Sequence, residues 1–188
     1  MKTLLLYHTG FQKIEAPQLR IGRKNADFGQ GFYLSEDGEF SLRWARRRSG
    51  AETWLNCYEL DPNGLRIKEL DRDAAWLDYI FQNRAGRPDS LAEYDIIVGP
   101  IAADILYNML GIFTSVLIPP ETALRLLRLG PLYRQTVLKT EAAISRLRFL
   151  SARVLGEEEI GAYRDAVRAE EADYQALAAA ELDRASAE

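Results

Sequence analysis

The sequence contains a single cysteine, Cys57, and a single histidine, His8, among 188 residues. One thiol cannot close an intramolecular disulfide, and one Cys with one His cannot assemble a structural zinc cluster. Such sparing cysteine use fits a reducing compartment, so the cytoplasm is the expected location and no metal is expected. No apolar run approaches the ~20 residues of a membrane span. The first eight residues carry one Lys and a short apolar stretch without a small-residue cleavage site, so a soluble, unprocessed chain is expected. Basic residues are in the minority, with 24 Lys and Arg against 28 Asp and Glu, a formal charge of −4 and a pI near 5.2. That balance argues against a surface generally coated by nucleic acid or anionic lipid, and leaves a local basic face open. Internal repeats, a long Gly/Ser linker, a Walker phosphate loop, a paired-histidine metal motif and a Ser- or Cys-His nucleophile are also missing.

What is present is enough apolar material for one substantial core. Hydrophobic side chains make up 47% of the chain and aromatics 10%, which needs no disulfide or metal for support. The expected organisation is a domain over 1–155 followed by a helical extension over 156–188.

Thr3 to His8 reads as a buried first strand, because its apolar side chains run continuously until Gly10 interrupts them. Residues 11–31 read mostly as loop. Ser35 is expected to cap a helix with Glu36 and Asp37 in its first turn and Phe40, Trp44 and Ala45 on one face, ending near Arg46-Arg47-Arg48. Thr53 to Leu60 predicts a strand, stopped by the turn residues Asp61-Pro62-Asn63-Gly64 and expected to pair with Leu65 to Leu70. A helix from Asp73 to Gln82 buries Trp76, Ile80 and Leu77, and Asp95 to Val98 is a short strand. Helical spacing over 102–110 and 120–129 precedes a strand over Gln135 to Leu138, a helix from Thr140, and a last strand over Leu147 to Leu155. From Glu157 onward Ala, Glu, Arg and Asp dominate. Ile160, Tyr163, Val167, Tyr174 and Leu177 supply an apolar stripe for a long helix.

Two segments carry the chemistry. Tyr7-His8-Thr9-Gly10 places a histidine at a strand end beside a glycine, where side chain and backbone can both reach a ligand. In Asp27-Phe28-Gly29-Gln30-Gly31-Phe32-Tyr33-Leu34 the glycines bend the chain so that Tyr33 faces the same pocket and Phe32 the opposite, core side. Taken alone, His8 reads as a satisfied strand-end histidine and Tyr33 as a core tyrosine; together with Gly29 and Gly31 they read as a site.

These segments resemble the first two motifs of the diphtheria-toxin-like and poly(ADP-ribose)-polymerase-like ADP-ribosyltransferases. The wider stretch Gly22 to Leu34, with Asp95-Ile96-Ile97-Val98-Gly99-Pro100 and Lys139-Thr140-Glu141-Ala142, is similar to a bacterial family of undetermined function classed with that superfamily. The resemblance covers roughly the first 150 residues, about one domain. It implies an α+β fold of two small, mostly antiparallel sheets that split to form an NAD cleft, with helices around them.

The resemblance also implies roles. His8 would hold the nicotinamide-side ribose, and Thr9 or Gly10 the carboxamide through backbone groups. The usual order is His-Gly-Ser or His-Gly-Thr, so Thr9 before Gly10 shifts that clamp. Tyr33, with Gly31 close by, would stack on nicotinamide. Arg23 and Lys24 would neutralise the pyrophosphate or else form a solvated basic loop, with Arg20 a weaker phosphate candidate. The superfamily's later-strand Glu corresponds by order to Gln135, which can hydrogen-bond a ribose hydroxyl but brings no negative charge. Glu141 is the alternative carboxylate, and its place after Thr140 also suits a helix first turn. Asn25 and Asp27 read as loop-ordering residues, Asp104 matches an acidic position of the similar family, and Asn83 and Arg84 read as packing and surface contacts.

The implied activity is mono-ADP-ribosyl transfer from NAD to a macromolecule, protein or nucleic acid. The implied setting is a bacterial toxin of a toxin–antitoxin or phage-defence pair with a neutralising antitoxin partner. NAD glycohydrolase activity and an inert NAD- or ADP-ribose-binding module are the competing expectations.

Overall fold

A computed structural model describes residues 2–102 and 120–187. The similar family's acidic position Asp104 and most of the helical spacing expected over 102–110 lie outside these residues. The described chain is mixed α+β, with seven strands in two sheets and five α-helices.

The first sheet contains β1 (Leu4–Gly10), β3 (Trp54–Leu60) and β7 (Leu147–Val154) in the order β1-β3-β7, antiparallel throughout. The second contains β2 (Phe32–Leu34), β4 (Ile67–Glu69), β5 (Ile96–Pro100) and β6 (Arg134–Leu138) in the order β2-β6-β5-β4. Tyr7 and Ser35 link the two sheets by exchanging backbone hydrogen bonds of 2.8 and 3.0 Å.

Period-two alternation sorts the short strands into two layers. Phe32, Leu34, Ile96 and Leu138 turn one face of the second sheet onto Leu6, Tyr58 and Leu60 of the first. Ala143 of α4 (Glu141–Ser145) completes this cluster. Ile97 and Val137 face the other way, onto Phe28 and onto Trp76 and Ile80 of α2 (Ala74–Arg84). Asp73 caps α2 by accepting from the Trp76 N–H at 2.9 Å.

Four expectations are corrected. β1 is not a buried strand: Leu6 is fully covered, but Leu5 is 46% exposed, because β1 lies at a sheet edge with one face toward water. The segment after Gly64 does not pair with β3. The turn itself forms, with Gly64 at φ +80° and the Leu65 N–H donating to Pro62 O. Both edges of β3 are already taken by β1 and β7, so β4 crosses to the second sheet and runs parallel to β5. Asp95 directs that crossing, its carboxylate accepting from the Arg66 N–H at 2.9 Å.

The first helix, α1 (Gly38–Leu42), is shorter than expected and is capped by Asp37. Ser35 cannot cap it, because its backbone is committed to Tyr7; its hydroxyl instead accepts from the Asp37 N–H. After Leu42 the chain tightens into i→i−3 bonds through Ala45. Phe40 and Ala45 are buried and Trp44 is left 42% exposed.

The final helix, α5 (Glu157–Ala187), packs along the domain, with Ile160 against Leu42, Ala45 and Leu155, and with Tyr174 and Ala178 in the α2 cluster. Its buried positions are Ile160, Tyr174, Ala178 and Glu181, and Leu177 falls off this stripe at 50% exposure. Glu181 is buried because it pairs with Arg125 of α3 (Pro120–Leu127) at 2.7 Å. Arg43 and Glu170 form a second ion pair between the domain and this helix.

Candidate functional site

A cleft of about 890 Å³ opens beside the link between the sheets. Its wall includes His8, Thr9 and Gly10 from β1, Tyr33 from β2, Gln135 from β6, and Gly31 and Arg23 from the intervening loop. The two strand ends and Gln135 therefore meet in one cavity. Lys24 is exposed and does not line it, and neither does Arg20.

His8 is held in one tautomer. Its Nδ1 lies 2.8 Å from the Tyr33 carbonyl, which can only accept, so Nδ1 carries the proton. Burial holds the imidazole pKa below its ordinary value, which keeps the ring neutral and leaves a lone pair on Nε2. The ring rests against Phe32, with centroids 4.9 Å apart. A Cβ at position 10 would approach Nε2 to 3.1 Å, so the glycine keeps that nitrogen uncrowded.

Tyr33 is anchored at its far end. Its hydroxyl donates to Gly29 O at 2.7 Å and accepts from the Phe28 N–H at 3.0 Å. Desolvation pushes the phenol pKa well up, so the hydroxyl stays protonated. The turn it grips needs glycine, because Gly29 has φ +70° and a Cβ there would lie 2.7 Å from Asn83 Oδ1. Buried Lys139 supports the same turn by donating to the Phe28 carbonyl while pairing with Asp89 at 2.9 Å. Gly31 permits close strand approach, since a Cβ would meet Val137 Cγ1 at 2.6 Å and Leu138 O at 2.7 Å.

Gln135 pairs in register with Gly99, and Tyr33 with Val137, so Gln135, Val137 and Tyr33 share one face of the second sheet. Gln135 is only 7% exposed, and its Nε2 has no hydrogen-bond partner among the described residues. A buried amide without a partner costs about 1–3 kcal/mol. Glu141 is exposed in the first turn of α4, away from the cleft, and Thr140 caps that helix. Asp95 and Thr140 hold structure together, Thr140 Oγ1 donating to Asp95 Oδ1 at 2.8 Å.

One element of the wall is missed by reading along the chain. Arg84 and Asp27 both line the cleft and form an ion pair with Nε 2.6 Å from Oδ1, their side chains 11% and 12% exposed. Asp27 also accepts from the Ala102 N–H, so it orders the loop as expected. Arg84 is no surface residue, and the 57 positions separating it from Asp27 leave no local signal of the pairing. Four lining residues are basic, Lys13, Arg23, Arg46 and Arg84, against two acidic, Glu15 and Asp27. A chain of net −4 thus concentrates positive charge in its cleft.

Comparison with protein families gives a match over residues 4–149 to a family described as "Protein of unknown function (DUF3990)". The chain belongs to the DUF3990 family. The DUF3990 match begins at the first residue of β1, ends within β7, and contains every cleft residue named above. No curated protein and no solved structure matches the chain. Among the described residues no group of three or more His, Cys, Asp or Glu is placed to hold a metal ion, and no helix is long and apolar enough to cross a membrane.

Proposed function

We propose that this DUF3990 protein is a mono-ADP-ribosyltransferase that takes NAD as substrate and modifies a macromolecular acceptor. The observation that carries the reading is the pairing, in one cleft, of an uncrowded histidine acceptor at His8 Nε2 with an unpartnered buried amide donor at Gln135 Nε2. Such a pair suits a sugar hydroxyl that donates to one group and a neighbouring oxygen that accepts from the other. The resemblance to the ADP-ribosyltransferases over the same residues, and the cleft beside the Tyr7–Ser35 link of the two sheets, support NAD as the ligand.

On this reading His8 orients the nicotinamide-side ribose and the Tyr33 ring stacks on nicotinamide. Gln135 contacts a ribose oxygen, Thr9 and Gly10 line the carboxamide side, and Arg23 serves the pyrophosphate in preference to exposed Lys24. The bond between ribose C1′ and the nicotinamide nitrogen breaks, with its electron pair leaving on nicotinamide. An acceptor nucleophile then bonds to C1′ and loses its proton. An acceptor seated in the cleft in place of water would favour transfer over hydrolysis.

Gln135 supplies no negative charge, and that observation favours a second reading, an inert NAD- or ADP-ribose-binding module. Glycohydrolase activity is the third outcome, with water in place of the acceptor. The experiment incubates the protein with bacterial lysate and NAD labelled on its adenylate half, following free nicotinamide and macromolecular label, with His8→Ala as control. Label absent in the control supports transfer, nicotinamide without label supports hydrolysis, and NAD binding without either product supports the inert module. The resemblance further supports a toxin neutralised by an antitoxin, tested by arrest of growth on expression and its relief by a neighbouring gene's product.

A further inference from the structure

The cationic side chains around His8 fall into two groups, and one dinucleotide brings only one pyrophosphate. The first group lies on the Tyr33 side: Arg23 lines the cleft from the loop before β2, and Arg84 pairs with Asp27 of that loop. The second belongs to the end of β1. There Phe11 carries the Arg48 guanidinium over its ring at 5.5 Å, and Trp44 and Arg46 continue the cleft wall. Thr9 ties this ledge to the site, its Oγ1 lying 3.1 Å from Ser41 Oγ, and the Trp44 N–H bonds to Ser41 O.

We infer that this ledge binds single-stranded RNA as the acceptor of the ADP-ribosyl group, an assignment that rests on the NAD reading above. Trp44 lines the cleft yet is 42% exposed, and an exposed indole face beside cations is the platform on which an unpaired base stacks. The Phe11–Arg48 pair offers a second flat surface together with a charge for phosphate. Arg46 lines the cleft and exposed Arg48 lies over Phe11, two cations at this point of an acidic chain, which suits a polyanion steered locally. The Thr9 hydroxyl lines the cleft between the ledge and His8, with buried Ser41 behind it, and the group in nucleic acid that both donates to and accepts from a hydroxyl is the 2′-hydroxyl, which DNA lacks.

The transfer balances without a further reagent. The C1′–nicotinamide bond breaks with its electron pair on nicotinamide, an RNA oxygen or nitrogen lone pair bonds to C1′, and the proton of that acceptor group passes to solvent.

The test is anisotropy of a short fluorescent oligoribonucleotide titrated with the full chain, with the deoxy strand and the RNA duplex as competitors. Expected is saturable, salt-sensitive binding of the single-stranded RNA, weakened about tenfold or more in both Trp44→Ala and Arg48→Glu. Trp44 meets the Phe40 ring edge-on and Arg48 lies over Phe11, so binding is compared at a temperature where circular dichroism shows both variants folded. Undiminished binding by the variants, preference for the deoxy strand or the duplex, or no binding overturns the proposal. The same samples then receive adenylate-labelled NAD. RNA binding without NAD cleavage keeps the ledge as an RNA site and overturns the transfer, together with the reading it rests on. Cleavage with label confined to protein keeps the NAD site and overturns RNA as acceptor.

Discussion

The Nδ1 of His8 donates a 2.8 Å hydrogen bond to the main-chain carbonyl of Tyr33, 25 positions later, so the tautomer of one sheet's strand is set by the backbone of the other's. The side chains of the same two residues both face the cleft. The bond therefore fixes where the His8 lone pair sits relative to the Tyr33 ring, and each group can be tested separately.

His8→Ala should lower kcat/KM for NAD cleavage roughly ten- to a hundredfold, the value of one buried hydrogen bond. Circular dichroism should remain that of the parent protein. Normal turnover in the folded variant would remove the histidine from the chemistry.

The same residue predicts a pH dependence of stability. Its folded pKa lies below the ordinary 6.5 because burial disfavours the charged ring. Between those two values the unfolded chain binds more protons than the folded one, so stability falls as pH drops below about 6.5 and is fully present above it. This is the only histidine, so His8→Gln should flatten thermal midpoints measured across about pH 5 to 7.5.

Gln135→Leu separates function from stability. It removes an amide whose buried nitrogen has no partner among the described residues, so denaturant unfolding should show stability unchanged or raised by about 1 kcal/mol. The stabilisation conferred by NAD should disappear in the same variant. A large loss of stability would mean that the amide serves the fold.

Tyr33→Phe keeps the ring and deletes both bonds to the Phe28–Gly29 turn. A loss of about 1–2 kcal/mol in unfolding free energy is expected, with NAD cleavage retained. Tyr33→Ala should lose cleavage as well, and equal activity in the two variants would dismiss stacking.

Breaking the Asp27–Arg84 pair takes the guanidinium away from a largely buried carboxylate in the cleft wall. Arg84→Ala should destabilise by about 3–5 kcal/mol, and adding Asp27→Ala should restore part of that loss. A double-mutant cycle in denaturant reads the coupling directly.

Much of the local structure was legible because it is written in short-range patterns. The strand at Trp54–Leu60, the helix begun by Asp73 and the helix begun by Thr140 are set by alternation and by caps within three residues. Pleating put Phe32 and Tyr33 on opposite faces, and His8 with Gly29 and Gly31 was what turned Tyr33 toward the cleft. The first helix was misread because Ser35 looks like a cap until Tyr7 claims its backbone. The missing hairpin after Gly64 has a similar origin: the turn chemistry is local, but the free edge it needs is not.

The sequence by itself determined most element types, the glycines that shape the Phe28–Tyr33 turn, and the candidate residues His8, Tyr33 and Gln135 that the cleft brings together. These depend on steric and capping preferences that each segment carries wherever it lies. Only the tertiary structure decided which strands share a sheet, that Arg84 lies buried against Asp27, that Gln135 rather than Glu141 faces the cleft, and that His8 keeps its proton on Nδ1. Those features arise from contacts between residues tens of positions apart, where burial and the shortage of unpaired partners select among arrangements that local preference leaves equal.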